Sequence, residues 1–169
     1  MASLTTTARD AGVEWRDGLW PPEKVEAIFR KVAALPYAWG EIDQAGVPPT
    51  GLVSVFAPDD PLVSEFLGLC PEPLPTARLE RAYVNLFLPR ELPYFHQDNA
   101  NPGHVTVLYF ANPEWEPQQG GETQFFMDDR ILGVLPVPGR VCAFDARIRH
   151  RATSFRDGAR FTVALKFVL

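Results

Sequence analysis

His96 and Asp98 stand two residues apart, and His150 follows from a distant part of the chain. Two imidazoles and one carboxylate can occupy one face of an octahedron around Fe(II) and leave three positions open for chemistry, whereas four sulfur or nitrogen donors would suit structural zinc. Residues two apart on a β-strand project from the same face, so one short strand can offer both His96 and Asp98 while another supplies His150. His-x-Asp alone recurs by chance, and a lone histidine is more often a hydrogen-bonded residue than a ligand. The surrounding sequence has to decide.

Ten residues beyond His150, Arg160 opens the apolar run Phe161-Thr162-Val163-Ala164-Leu165-Lys166-Phe167-Val168-Leu169. A guanidinium at the head of a buried strand needs an anion, because an unpaired buried charge is very costly. A ligand carboxylate gripped in the arginine fork would meet that need. A salt bridge to Asp145 or Asp157, or exposure at the strand end, would meet it equally well.

Between the histidines run His104-Val105-Thr106-Val107-Leu108-Tyr109-Phe110-Ala111-Asn112-Pro113-Glu114-Trp115 and then Gly120-Gly121-Glu122-Thr123-Gln124-Phe125-Phe126. With His-x-Asp before them and the distal His and Arg after, these segments resemble the 2-oxoglutarate- and Fe(II)-dependent oxygenases, in particular their prolyl-hydroxylase-like branch. The resemblance covers roughly residues 79–169, and the ordered set is far more specific than any one piece. It implies a mainly β protein with N-terminal helices, built on a double-stranded β-helix, or jelly roll. It also implies Fe(II) on His96, Asp98 and His150, with 2-oxoglutarate chelating the iron and its distal carboxylate on Arg160. Dioxygen would take the remaining position. Relatives use polar side chains on the strand before the metal segment to touch the co-substrate, which points to Tyr83 and Asn85, though a core tyrosine and an edge asparagine would read the same way. Several relatives carry tyrosine where Phe110 falls, so Thr106 or Thr162 is expected to supply the missing hydrogen bond. His104 lies outside the motif and is expected at the substrate rim or in a structural role.

The same resemblance implies hydroxylation of an unactivated C–H bond with release of succinate and CO2. Asp98 fits this outcome, since halogenating relatives have a small residue there to make room for chloride. A small molecule, an amino acid or biosynthetic intermediate, is the expected substrate, because the chain stops at its last predicted strand. A prolyl-type hydroxylase acting on a peptide or protein is the alternative. A reading of another class is a non-catalytic cupin-like metal- or carboxylate-binding module; cupins generally use more histidines than the three present, and Arg160 would then be unexplained.

The elements that must position these residues are legible as strands and two helices. Residues 77–88 alternate apolar Leu79, Val84, Leu86 and Leu88 with Arg81, Tyr83 and Asn85, and further β-rich runs cover 104–112, 122–126, 131–137, 140–144 and 160–169. Gly, Pro and Asp separate them at Asn101-Pro102-Gly103, Gly120-Gly121, Asp128-Asp129, Pro138-Gly139 and Asp157-Gly158. Upstream, Val25, Ile28, Phe29, Val32 and Leu35 recur at helical spacing after Pro21-Pro22, and Asp60 is an N-cap for a short helix over 60–67. Both helices are expected against the outside of the larger sheet. Gly120 and Gly121 suit a tight turn. Trp115 is expected to pack beneath its loop, and Arg149 and Arg151 to point away from the metal. The segments 36–51 and 99–103 are expected to cover the site mouth.

Residues 1–169 are expected to form one domain, with 1–75 as helical support and first strands and 76–169 as the metal-binding core. At 169 residues and 46% hydrophobic, the chain can bury a full core. Only Cys70 and Cys142 are present, no signal peptide is visible in Met1–Thr7 and no apolar run could span a bilayer, so a cytoplasmic protein without membrane attachment is expected. The net charge is −5, with twelve acidic and six basic residues before position 81 and nine and ten after it, which leaves no electrostatic footprint for duplex nucleic acid. Nucleic-acid-demethylating relatives commonly carry a second arginine where this chain has Lys166, a departure that also argues against nucleic acid.

Overall fold

The computed structural model describes residues 5–43, 45–57 and 59–169. Its elements are β1 (Thr6–Asp10), β2 (Val13–Asp17), α1 (Pro22–Ala33), β3 (Ala38–Glu41), β4 (Gly51–Val55), α2 (Pro61–Leu67), β5 (Arg78–Phe87), β6 (His104–Phe110), β7 (Thr123–Met127), β8 (Arg130–Val134), β9 (Val141–Asp145), β10 (His150–Ala152) and β11 (Arg160–Val168). Eight strands form an antiparallel sheet in the order β1-β2-β9-β6-β11-β5-β4-β3, and a smaller sheet has the order β10-β7-β8. The two sheets make a jelly roll, the expected double-stranded β-helix.

Strand β11 shows how one sequence serves two surfaces. Its odd positions, Phe161, Val163, Leu165 and Phe167, are buried with Ile28 and Val32 of α1, Val63 and Phe66 of α2, and Val84, Val107 and Tyr109 of the neighbouring strands. Its even positions, Arg160, Thr162, Ala164 and Lys166, belong to the opposite face by the period of two. There Ala164 packs in a second core with Tyr83, Leu108, Phe110, Phe125 and Phe144. Helix α1 carries Val25, Ile28 and Val32 on its buried side and starts with Pro22 in its first turn, where the missing N–H costs nothing. Asp60 caps α2 by accepting a hydrogen bond from the Leu62 amide at 2.9 Å, and Lys24 pairs with Glu65 to join the two helices.

Three features depart from the sequence reading. The hairpin β1–β2 extends the large sheet by pairing Trp15 with Cys142 of β9, although no alternating pattern marked residues 6–17 as strands. The segment 36–51, read as a loop, contributes β3 and the first residue of β4 to the other edge of that sheet, while its Glu41, Ile42 and Asp43 line a cavity; Gln44 lies outside the described residues. The His-x-Asp segment is not a strand. His96 makes an isolated bridge with His150, and Asp98 is held by its own amide bonding the Ala146 carbonyl at 2.9 Å. Met1–Leu4, part of the segment read for a leader, lie outside the described residues.

Candidate active site

The bridge between His96 and His150 brings the two imidazoles together with their ring centroids 4.6 Å apart. Each ring commits Nδ1 to a backbone carbonyl two residues earlier, His96 to Tyr94 at 3.0 Å and His150 to Ile148 at 2.9 Å. This fixes the ring orientation and the tautomer that leaves Nε2 free as a ligand atom. Both free nitrogens face Asp98, at 3.4 Å from Oδ1 for His96 and 3.5 Å from Oδ2 for His150. One donor atom from each of the three residues lies within 4.8 Å of the others, a spacing that a single divalent ion can close.

Asp98 is held from the outside as well. Thr106 donates its hydroxyl to Asp98 Oδ2 at 2.5 Å, and the Lys166 ammonium pairs with the same oxygen. Burial pushes the Asp98 carboxyl up, but the Lys166 charge and the His96 bond outweigh it and hold the group well below the ordinary carboxylate value. Burial lowers His150 to about 4, so its ring is neutral at physiological pH and ready to coordinate. Burial also opposes charge on His96, yet its contact with Asp98 and the Tyr94 carbonyl raise it above the ordinary imidazole value.

From the triad, a narrow cleft runs along the inner face of β11 to Arg160. Its walls include Tyr83, Asn85, Leu108, Thr123, Ala164, Thr162 and Arg160. Strand register explains the arrangement: Lys166 lies opposite Arg81 and Thr106, Ala164 opposite Tyr83 and Leu108, and Thr162 opposite Asn85 and Phe110. Six residues of strand, about 20 Å, thus separate a cation at one end from a cation at the other, with small Ala164 between them. Arg160 is 1% exposed. It donates Nε to the Gly121 carbonyl at 2.8 Å and Nη2 to Thr123 Oγ1 at 2.9 Å, and its guanidinium lies 5.4 Å from the Phe110 ring. Among the described residues no carboxylate lies within 4.0 Å of it. Asp145 pairs with Arg147 instead, so the intramolecular salt bridge weighed for Arg160 does not form. Burial lowers Arg160 to about 10, which leaves it charged at neutral pH. Asn85 Oδ1 and Thr162 Oγ1, which share the cleft with it, are buried without hydrogen-bond partners. The buried Arg160 guanidinium and the partnerless Thr162 hydroxyl can both donate into the cleft, which matches the needs of a carboxylate such as those of 2-oxoglutarate.

A second cavity of about 250 Å3 opens on the other side of the triad and shares His96, Asp98, Tyr83, Glu41, Asp43 and Lys166 with the cleft. His104 lines this cavity, with Nε2 3.6 Å from Glu80. Thr106 also faces it, on the Asp98 side, and not the Arg160 end of the cleft. Trp115 donates its indole N–H to the Gly120 carbonyl at 2.9 Å, beneath its own loop. Arg149 and Arg151 lie over Phe126 and Phe95, turned away from the triad. Gly121 has φ +82°, and a Cβ there would fall 2.3 Å from the Phe155 ring, so the turn that aims the Gly121 carbonyl at Arg160 requires glycine. Lys166, Glu41 and Asp43 are the site residues that sequence reasoning missed. A lysine inside an otherwise apolar run, in phase with Arg160, was the available signal for the first; the other two carried none.

Residues 89–167 match the model of the 2OG-Fe(II) oxygenase superfamily. No curated protein matches the chain. Among solved structures, a prolyl-4-hydroxylase from Pseudomonas putida superposes with a TM-score of 0.73 at 18% identity, covering 93% of this chain and 92% of its own. A prolyl hydroxylase from Trichoplax adhaerens, in complex with a hypoxia inducible factor peptide fragment, gives 0.71 at 17%, covering 93% and 83%. HygX from Streptomyces hygroscopicus, with nickel, 2-oxoglutarate and hygromycin B bound, gives 0.68 at 14%, covering 93% and 82%. These three share the fold. The family match runs through the candidate metal triad and the strand that carries Arg160, so residues 89–167 are similar to the 2OG-Fe(II) oxygenase superfamily over the segment that holds both.

Proposed function

We propose that the protein hydroxylates an unactivated C–H bond of a small molecule. His96, Asp98 and His150 would hold the iron, and the Arg160 guanidinium and Thr162 hydroxyl would take the distal carboxylate of 2-oxoglutarate, with Asn85 able to contribute only through its amide Nδ2. When bound, iron and 2-oxoglutarate would supply the oxidation of the C–H bond by dioxygen, with succinate and CO2 released. The chain's own tasks are orientation and protection. The Tyr94 and Ile148 carbonyls keep each Nε2 aimed inward, Thr106 and Lys166 fix the Asp98 carboxylate, and the aromatic packing of Phe125 and Phe144 around His150 keeps water from the distal histidine. Asp98 itself favours hydroxylation, since it fills the position that a halide would need.

The observation that carries the small-molecule reading is the cavity beside the triad. At about 250 Å3 it is smaller than the ~300–1,000 Å3 typical of drug-sized ligands. Exposed Ile42 on its rim and Trp39 on the adjoining strand favour a second reading, a peptide laid across the mouth, and this is the class that the Trichoplax neighbour binds. Succinate formation measured over a panel of free amino acids, other small metabolites and proline-containing peptides separates the two. Turnover with small molecules, abolished in Asp98→Ala, is the expected result. Turnover confined to the peptides overturns the small-molecule assignment, and activity retained in Asp98→Ala overturns the triad.

A further inference from the structure

The cavity beside the triad is lined by six side chains with charge in their ordinary states besides the histidines: Glu41, Asp43, Glu80, Arg81, Asp98 and Lys166. Four of them are already engaged. Asp98 and Lys166 pair with each other. Asp43 accepts hydrogen bonds from Thr50 Oγ1 at 2.7 Å and from the Tyr94 amide at 2.9 Å, which ties β4 to the segment leading into His96. Glu80 accepts from Arg78 at 2.9 Å and approaches His104. Glu41 and Arg81 remain. Among the described residues, neither has an ion-pair partner within 4.0 Å or a side-chain hydrogen bond.

These two groups sit on different strands. Arg81, an exposed residue of β5, has its guanidinium 4.2 Å from the centre of the Tyr83 ring, a cation–π contact that restrains a long side chain. Glu41 ends β3 at the sheet edge, half-buried, on the wall shared by the cavity and the cleft. Burial raises the Glu41 carboxyl above its ordinary value, and the charges of Arg81 and then Lys166 pull it back down, so the groups share one electrostatic environment without touching. Opposite charges that line one cavity without pairing with each other form a template for a ligand that carries both.

We propose that Glu41 and Arg81 are the specificity-determining residues of this oxygenase and that its substrate is a small zwitterion of the free α-amino-acid class, with its ammonium on Glu41 and its carboxylate on Arg81. A cavity of about 250 Å3 holds roughly eight waters' share of liquid, which matches a molecule of that size. With both charged ends engaged, the substrate has only its carbon chain left for the wall that His96 and Asp98 form. A residue inside a peptide has neither charge, because amide bonds neutralise both, so the same pair would exclude peptides. The inference rests on the small-molecule oxygenase reading above.

The test is made anaerobically, on protein loaded with Fe(II) and 2-oxoglutarate, by following the weak visible band of the chelated cofactors as ligand is added. The probes are the twenty common L-amino acids, their N-acetyl derivatives and their methyl esters. At least one free amino acid should perturb the band saturably. Its N-acetyl and ester forms should bind roughly ten- to a hundredfold more weakly, the worth of one charge-assisted hydrogen bond. Glu41→Gln should weaken the free acid to the level of its N-acetyl form while leaving the N-acetyl form unchanged. Arg81→Met should do the same with respect to the ester, and Arg81→Lys should restore part of the loss. Absence of the band in the wild-type protein would count against the oxygenase reading itself. With the band present, silence from every free amino acid, or equal binding of a free acid and its N-acetyl form, overturns the zwitterion. The wild-type series decides the matter even if a variant fails to fold.

Discussion

Replacing Arg160 by methionine should uncouple cofactor binding from folding, and both halves of that statement can be sized. Burial lowers the Arg160 pKa from its ordinary value to about 10, so the charged group is about 3 kcal/mol worse off in the fold than in water. Methionine removes that penalty and keeps an apolar stem over Phe110. It also strips the Gly121 carbonyl and Thr123 Oγ1 of their donors, at about 1–3 kcal/mol each. The opposing terms leave the stability of the cofactor-free protein within about 3 kcal/mol of the wild type. Binding of 2-oxoglutarate has no such offset. Losing a charge-assisted bond of about 1.5–3 kcal/mol, with the ligand carboxylate left unpaired, should weaken it about a hundredfold. Urea unfolding in Mn(II), without and with 2-oxoglutarate at a hundred times the wild-type Kd, reads both effects. The wild type should gain about 2.7 kcal/mol from the ligand and the variant about 0.4. An equal gain in both proteins refutes the cleft as the co-substrate site. A loss of more than about 5 kcal/mol without ligand would make Arg160 a structural residue first.

Lys166→Met leaves Asp98 buried without its cation. It should cost the metal-free protein about 3 kcal/mol, the low end for a broken buried pair because the lysine side chain is 18% exposed, and saturating Mn(II) should return part of that in thermal unfolding; an unchanged melting temperature would contradict the pairing. Metal binding should depend on one proton near neutrality. His150, at about 4, is already neutral, whereas His96 is raised above the ordinary imidazole value, so below the His96 pKa the ion must displace a single proton and affinity falls as pH falls. Titration calorimetry in buffers of different protonation enthalpy counts that proton, and a value near two would be inconsistent with a neutral His150. Gly121→Ala forces a side chain into positive φ and against Phe155. It should cost at least about 2 kcal/mol in chemical denaturation and weaken 2-oxoglutarate as well, because the same turn aims the carbonyl that Arg160 bonds; normal stability would show that the turn can relax.

The alternation of residues 77–88, the helical spacing from Val25 to Leu35 and the Asp60 cap are local patterns, and local physics sets them, so the sequence by itself determined β5, α1 and α2. It also determined the chemistry on offer, because His96, Asp98, His150 and Arg160 stand in a fixed order with turns between them. Where those side chains meet was a matter of tertiary structure. His96 and Asp98 were expected on a strand; they lie on an extended segment pinned by one bridge to His150 and one bond to Ala146, contacts that no spacing rule contains. Lys166 read as a departure from a motif until the β6–β11 register set it beside Thr106 and against Asp98. Glu41 read as a loop residue because the pairing that makes β3 an edge strand is with β4, and its value depends on β5 already being in place, while Asp43 is a loop residue whose place beside the site is set by its bonds to Thr50 and the Tyr94 amide. Register and burial are properties of the whole sheet. They decided which charges converge on His96 and His150, which pair with each other and which line the cavity without an ion-pair partner among the described residues.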